Sequence, residues 1–195
     1  MKHLNDSELI SYFKSGNQDA FEELVLRYQS QVFSYVMSIT KNSQASEDIS
    51  QEVFIKVYKK LGSYNDESKF KNWLFTLSRN MTMDYYRKNS RKLVPLESQD
   101  DDEFSLIDVL TDDQPQPLEI AMEKDKNDAI NRALNQLSIE ERELIALKDS
   151  MTFKEIADMQ KKPIGTLLSK FNRALTKLRT ILSELEPEVY NEYMR

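Results

Sequence analysis

"SIEERELIALKDSMTFKEIADMQKKPIGTLLSKFNRALTKLR", Ser138 to Arg179, is the stretch that decides the fold. Ser138 and Glu141 stand at capping-box spacing, and Thr152 and Glu155 repeat it. In such a box the hydroxyl accepts from an amide one turn on, and the carboxylate reaches back to the cap's own amide. Pro163 suits the first turn of a further helix, where a missing N–H costs nothing. With the apolar periodicity, these signals predict helices at about 139–148, 153–160 and 164–184, preceded by one at 124–137. A short helix, a short break and a longer basic helix make a helix-turn-helix outline.

The last of these helices carries chemistry. Leu167, Phe171, Ala174, Leu175 and Leu178 recur as one apolar stripe. Thr166, Ser169, Lys170, Arg173 and Lys177 fall mainly away from it, and between Lys161 and Arg179 there are six basic residues and no acid. Such a helix can meet phosphates and the edges of bases in a major groove. A solvated amphipathic helix is the plain alternative. The lack of acids and the capped helix ahead of it favour DNA.

The N-terminal part is also helical. A short helix is predicted from Ser7 to Lys14, stopping near Gly16, and a second from Asp19, taken as a cap, through Phe21, Leu24, Val25, Tyr28, Val32, Val36 and Ile39. A third runs from about Ala45 to Leu61, with Gly62 placed for a left-handed cap. Its inner face reads Ile49, Val53, Phe54, Val57, Tyr58 and Leu61, and its outer stripe Asp48, Gln51, Glu52, Ile55 and Lys59. An isoleucine framed by acids and an amide suits a protein partner, although a single exposed Ile is ordinary. A fourth runs from about Lys69 to Arg91, closed by Pro95. Phe70, Trp73, Leu74, Leu77, Met81 and Tyr85 are assigned to its core face. Asn72, Phe75, Arg79, Thr82, Met83 and Tyr86 are assigned to the opposite face, followed by Arg87, Lys88, Arg91 and Lys92. Aromatics among basic and amide groups give unstacked bases a stacking partner, which points to melted or single-stranded DNA.

Between the two modules the composition changes. Glu97 to Pro117 holds eight acidic residues and no basic one, and cannot bury enough surface to offset chain entropy. It is read as an extended linker. Residues 1–96 carry 14 Lys/Arg against 11 Asp/Glu, net +3; residues 97–125 carry 1 against 11, net −10; residues 126–195 carry 12 against 11, net +1. The overall −6 therefore hides two basic flanks.

The totals narrow the function. With 195 residues there is room for one large domain or two small ones. There is no cysteine, one histidine (His3), and no apolar run long enough to span a membrane. No secretory leader is evident, so a cytoplasmic, metal-free and cofactor-free protein is expected. Nucleophilic or acid–base catalysis lacks its usual residues, and no enzyme is expected.

"ASEDISQEVFIKVYKKL", "FKNWLFTLSRNMTMDYYRK" and the Leu137–Arg179 stretch occur in the order found in bacterial sigma factors. The chain resembles the compact extracytoplasmic-function (ECF) group, which keeps only the second and fourth sigma regions, over about Asp19 to Arg179. The resemblance implies an all-α chain of two small helical domains joined by an acidic extended linker: residues 1–95 as region 2, 96–122 as linker, 123–185 as region 4 and 186–195 as a tail. It implies a factor that binds core RNA polymerase and directs promoter-specific initiation, the polymerase supplying the chemistry. Asp48, Gln51, Glu52 and Ile55 would meet the β′ coiled coil. Asn72, Phe75, Arg79, Asn80, Met83, Tyr86 and Arg87 would open and hold the −10 element. Thr166, Ser169, Lys170, Arg173 and Lys177 would read the −35 duplex. The partners implied are core polymerase (β′ and β), promoter DNA and an anti-sigma factor. The acidic linker would thread toward the positively charged RNA exit channel and would shield the basic modules in the free protein.

Four positions depart from the family's usual residues. Lys161 stands where Gly is usual at the bend, implying a strained or altered turn. Lys170 stands for Arg and gives up bidentate guanine reading. Ser138 replaces Pro, and Leu168 a polar residue. Two other readings compete: a stand-alone helix-turn-helix regulator, which would need a dimer to read paired half-sites, and a helical adaptor that binds protein alone. Steep salt dependence would separate the latter from a DNA binder.

Overall fold

The computed structural model describes residues 1–65, 69–90, 130–185 and 187. It is helical, with no strand among the described residues. The chain divides into two compact units, with the division after Gln99. The acidic linker, Arg91, Lys92, Pro95 and almost all of the 186–195 tail lie outside the described residues.

The first unit is built on four helices: α1 (Asp6–Lys14), α2 (Asp19–Thr40), α3 (Ser43–Leu61) and α4 (Phe70–Ser90). α2 packs against the other three, and α3 also packs on α4. Asn5 caps α1 through a reciprocal box with Glu8, at 3.0 and 2.7 Å. Asp6 then ties α1 to α2: it pairs with Arg27 at 2.6 Å and accepts from the Tyr28 hydroxyl. α2 contributes Leu24, Val32, Tyr35, Val36 and Ile39 to the core and ends at Lys41, which is left-handed at φ 55. Asn42 caps α3 by accepting from the Ala45 amide at 2.7 Å, and Val53, Val57 and Leu61 of α3 are fully buried.

Two expected caps differ. Asp19 is the first helical residue of α2, not its cap; Gln18 holds the cap position without a side-chain bond, and the Asp19 amide donates to Asn17 Oδ1 at 3.0 Å. Gly62 is right-handed at φ −60, ψ −32, because the chain leaves α3 through a continuing turn, with Ser63 and Tyr64 amides reaching Lys60 and Leu61 carbonyls.

The core face of α4 is the larger correction. Phe70, Leu74, Phe75, Ser78 and Thr82 are the buried residues, whereas Trp73, Leu77, Met81 and Tyr85 are half-buried. Apolar weight alone had turned the helix the wrong way. Ser78 and Thr82 enter the core because each hydroxyl is satisfied by the carbonyl four residues back, Leu74 O at 2.9 Å and Ser78 O at 2.8 Å. Their small size makes room for Phe75.

The second unit follows the expected punctuation. A helical stretch at 130–135 (α5) leads into α6 (Ile139–Ser150), α7 (Phe153–Gln160) and α8 (Ile164–Leu185). Both capping boxes form: Glu141 accepts from the Ser138 amide at 2.8 Å, and Glu155 from the Thr152 amide at 2.7 Å. Of the strained and altered turns left open for Lys161, the structure shows the strained one, left-handed at φ 53, ψ 43. α8 packs on α6 and α7. Leu144, Leu147, Ile156, Leu167 and Ala174 are buried, Phe153 meets Phe171 edge-on at 5.2 Å, and Ala133, Leu137 and Ile181 form a second apolar cluster.

Candidate functional site

Three surfaces hold the residues singled out in the sequence. On α3, Asp48, Gln51 and Glu52 are exposed and Ile55 is 52% exposed. Gln44 donates to Asp48 at 3.2 Å, and Lys56 pairs with Glu52 at 3.2 Å. An open apolar side chain therefore stands among short-range polar pairs along one stripe. Tyr58, assigned to the core face, is 45% exposed. It sits at the margin, where its ring meets Phe13 and Phe21 edge-on at 5.4 and 5.1 Å.

On α4 the proposed DNA face divides. Asn80 and Arg87 are exposed, while Asn72, Arg79, Met83 and Tyr86 are half-buried and so keep part of their surface open. Arg87 is clasped by Asp84 at 2.9 Å and by the Met83 carbonyl at 3.2 Å. Phe75 is corrected: it has no exposed surface, since its ring is packed in the core against Tyr35. A wholly enclosed ring offers no stacking face to a base. Trp73 changes in the other direction. It is half-buried at the head of α4, its ring 4.9 Å from Tyr64 and 5.9 Å from Phe70. Beside it, Asn72 Oδ1 is a buried acceptor that receives no hydrogen bond. Of the two aromatics assigned to the core face here, Phe70 is buried as expected and Trp73 keeps part of its surface open.

On α8, Thr166, Ser169, Arg173 and Lys177 are exposed along the helix, and Lys170 is half-buried. Ser169 donates to the Gly165 carbonyl at 2.9 Å and Arg173 Nε to the Ser169 carbonyl at 3.3 Å. Ile164 and Leu168 add open apolar surface. Two acids that the sequence did not connect with α8 stand here. Glu140 pairs with Lys170 at 2.7 Å and Glu141 with Lys177 at 3.4 Å. Both come from the first turn of α6, more than 25 residues upstream, so a scan of α8 alone could not find them. The Ser138 amide, ahead of its hydroxyl and Lys177, holds the Glu141 carboxyl below its ordinary range against a smaller opposing effect of burial.

No group of His, Cys, Asp or Glu suited to a metal ion occurs among the described residues, and no described helix is long and apolar enough to cross a membrane. The fold and its three surfaces define a helical protein of two units, one with a helix-turn-helix. The family profile described as Sigma-70 region 2 matches residues 24–92, from within α2 through α4. The RNA polymerase sigma-H factor of Pseudomonas aeruginosa is 28% identical over 186 residues, covering 92% of this chain and 95% of that protein. The ECF RNA polymerase sigma factor SigW of Bacillus subtilis is 27% identical over 179 residues, covering 90% and 96%. The sigma factor RpoE of Bartonella quintana, solved with the anti-sigma factor NepR, shares the fold at a TM-score of 0.65 and 24% identity, over 87% of this chain and 99% of that one. Residues 24–92 carry the sigma-70 region 2 match, and over about nine-tenths of its length the chain is similar to RNA polymerase sigma factors of the extracytoplasmic-function group, which supports a sigma-factor role in promoter-directed initiation.

Proposed function

We propose that this chain docks on core RNA polymerase through the α3 stripe, melts and holds the −10 element through α4, and reads the −35 duplex through α8. Asp48, Gln51, Glu52 and Ile55 meet the β′ coiled coil. Asn72, Arg79, Asn80, Met83, Tyr86 and Arg87 form the −10 surface, with Phe75 withdrawn from it. Thr166, Ser169, Lys170, Arg173 and Lys177 form the −35 surface, and the chain also meets the β subunit. Residues 1–95 act as sigma region 2 and residues 123–185 as sigma region 4. The acidic 96–122 segment links them and occupies the RNA exit path. The protein works in the cytoplasm and catalyses nothing itself, and an anti-sigma factor covers one or more of its surfaces when transcription is not required.

One observation carries this reading: Ile55, an open apolar side chain, lies amid Asp48, Gln51 and Glu52 on the outer side of α3, within the segment that matches sigma region 2. An exposed Ile is unremarkable alone. In an end-to-end relative of sigma factors it supports a docking face with an apolar centre and polar rim. The test is selection of pooled genomic DNA fragments by polymerase assembled from bacterial core and the full chain. Fragments sharing two spaced elements, retained only when the chain is present, are expected. Equal retention by core alone would exclude promoter selection.

A further inference from the structure

Lys170 lies on the proposed −35 surface of α8, one turn beyond Thr166 and beside Ser169. Yet its Nζ is already 2.7 Å from Glu140, and its side chain is only 37% exposed against 64% for the glutamate. Lys177, seven residues on, reaches Glu141 at 3.4 Å. Arg173, between them, pairs with no carboxylate among the described residues, and Ser138, Glu140, Glu141, Lys170 and Arg173 line one open cleft. Two acids from α6 therefore engage two of the cations on a helix whose own sequence, from Lys161 to Arg179, contains no acid.

The two acids are not equivalent. Glu141 Oε2 accepts from the Ser138 amide and hydroxyl, each at 2.8 Å, so it belongs to the start of α6. Glu140 has no part in that box. Its carboxylate faces solvent, where an ion pair is weak and exchangeable. A DNA phosphate would offer Lys170 the same charge, while Glu140 left behind would repel it.

We infer that Glu140 is a positioning and specificity-determining residue: it holds Lys170 back from the DNA backbone, so that binding by α8 leans on Thr166, Ser169 and Arg173. Lysine–phosphate contacts carry no sequence information. Withholding one lowers affinity for every duplex and raises the share contributed by base contacts. This rests on the proposed −35 role of α8.

The experiment compares polymerase assembled with the full wild-type chain and with Glu140→Gln, Lys170→Gln and the double variant. Filter binding on ice, over a range of salt concentrations, uses the genomic fragments recovered as above and unrelated fragments of equal length. Glu140→Gln is expected to bind both fragment classes roughly two- to fivefold more tightly at low salt. Its log–log salt dependence should steepen by about 0.9, one added phosphate contact. The gain should vanish in the Lys170→Gln background, the coupling a double-mutant cycle isolates. Asp149→Asn, at the far end of α6, should show no such gain. An unchanged Glu140→Gln, a gain that persists without Lys170, or an equal gain from Asp149→Asn would each overturn the inference while leaving the sigma assignment standing. Failure to recover any fragment that requires the wild-type chain would overturn both.

Discussion

The ring of Phe75 stands edge-on to that of Tyr35, their centroids 6.0 Å apart and their planes at 73°, and neither side chain has more than 1% of its surface exposed. This pair joins α4 to α2 and fixes which side of α4 remains available to a ligand.

Phe75→Ala should therefore act on stability. Removing a buried phenylalanine costs about 3–5 kcal/mol through lost burial and the cavity left behind. Trp73, the only tryptophan, lies two residues away and reports unfolding of the first unit by fluorescence. The midpoint of denaturation should fall sharply. Unchanged stability with selective loss of single-stranded DNA binding would instead restore Phe75 to the DNA face.

Ile55→Glu tests the docking stripe. At 52% exposure the residue contributes little to the fold, so helicity and thermal stability should change by less than about 0.5 kcal/mol. A charge at the apolar centre of an interface should weaken association with core polymerase by roughly ten- to a hundredfold, measurable by competition with the wild-type chain. Equal competition would move the docking site elsewhere.

Lys161→Gly addresses the bend of the helix-turn-helix. A lysine at φ 53 carries steric strain that glycine lacks, partly offset by glycine's greater freedom when unfolded. Amide exchange across α7 and α8 should slow by an amount equivalent to at most about 1 kcal/mol. Faster exchange would mean that the lysine side chain supports the turn.

Acid should loosen α6 first at its start. The folded state holds Glu141 below its ordinary 4.5, chiefly through the Ser138 amide. A depressed carboxylate contributes stability that is fully present above its unfolded pKa and is lost as pH falls through the folded value. Exchange of the α6 amides in the wild type should therefore accelerate below about pH 4.5. Glu141→Gln should begin less protected and lose that part of the pH dependence. Parallel profiles for the two proteins would contradict the assignment.

Much of this was legible in the sequence where chemistry is local. Ser138 with Glu141 and Thr152 with Glu155 declare helix starts because the interacting atoms lie within one turn, and both boxes form. Lys161 at the bend left a strained or an altered turn open, and the structure shows the left-handed one. What resisted reading was set by distant partners. The face of α4 depends on Ser78 and Thr82 satisfying their hydroxyls within the helix, which hydrophobic weighting counts as polar. Phe75 consequently went to the wrong side. Glu140 and Glu141 meet α8 across 30 and 36 residues, so the charge of that helix surface could not be judged from its own composition. The acidic 97–125 segment was evident from charge alone and lies outside the described residues.

The measurement that bears most directly on the whole account is run-off transcription, using bacterial core polymerase, the full chain and the genomic fragments recovered by selection. A discrete transcript that requires the chain, starting a fixed distance from the two shared elements and reduced by Ile55→Glu, is the predicted result. The same transcripts with core alone, or none from any recovered fragment, would contradict promoter-directed initiation by this protein.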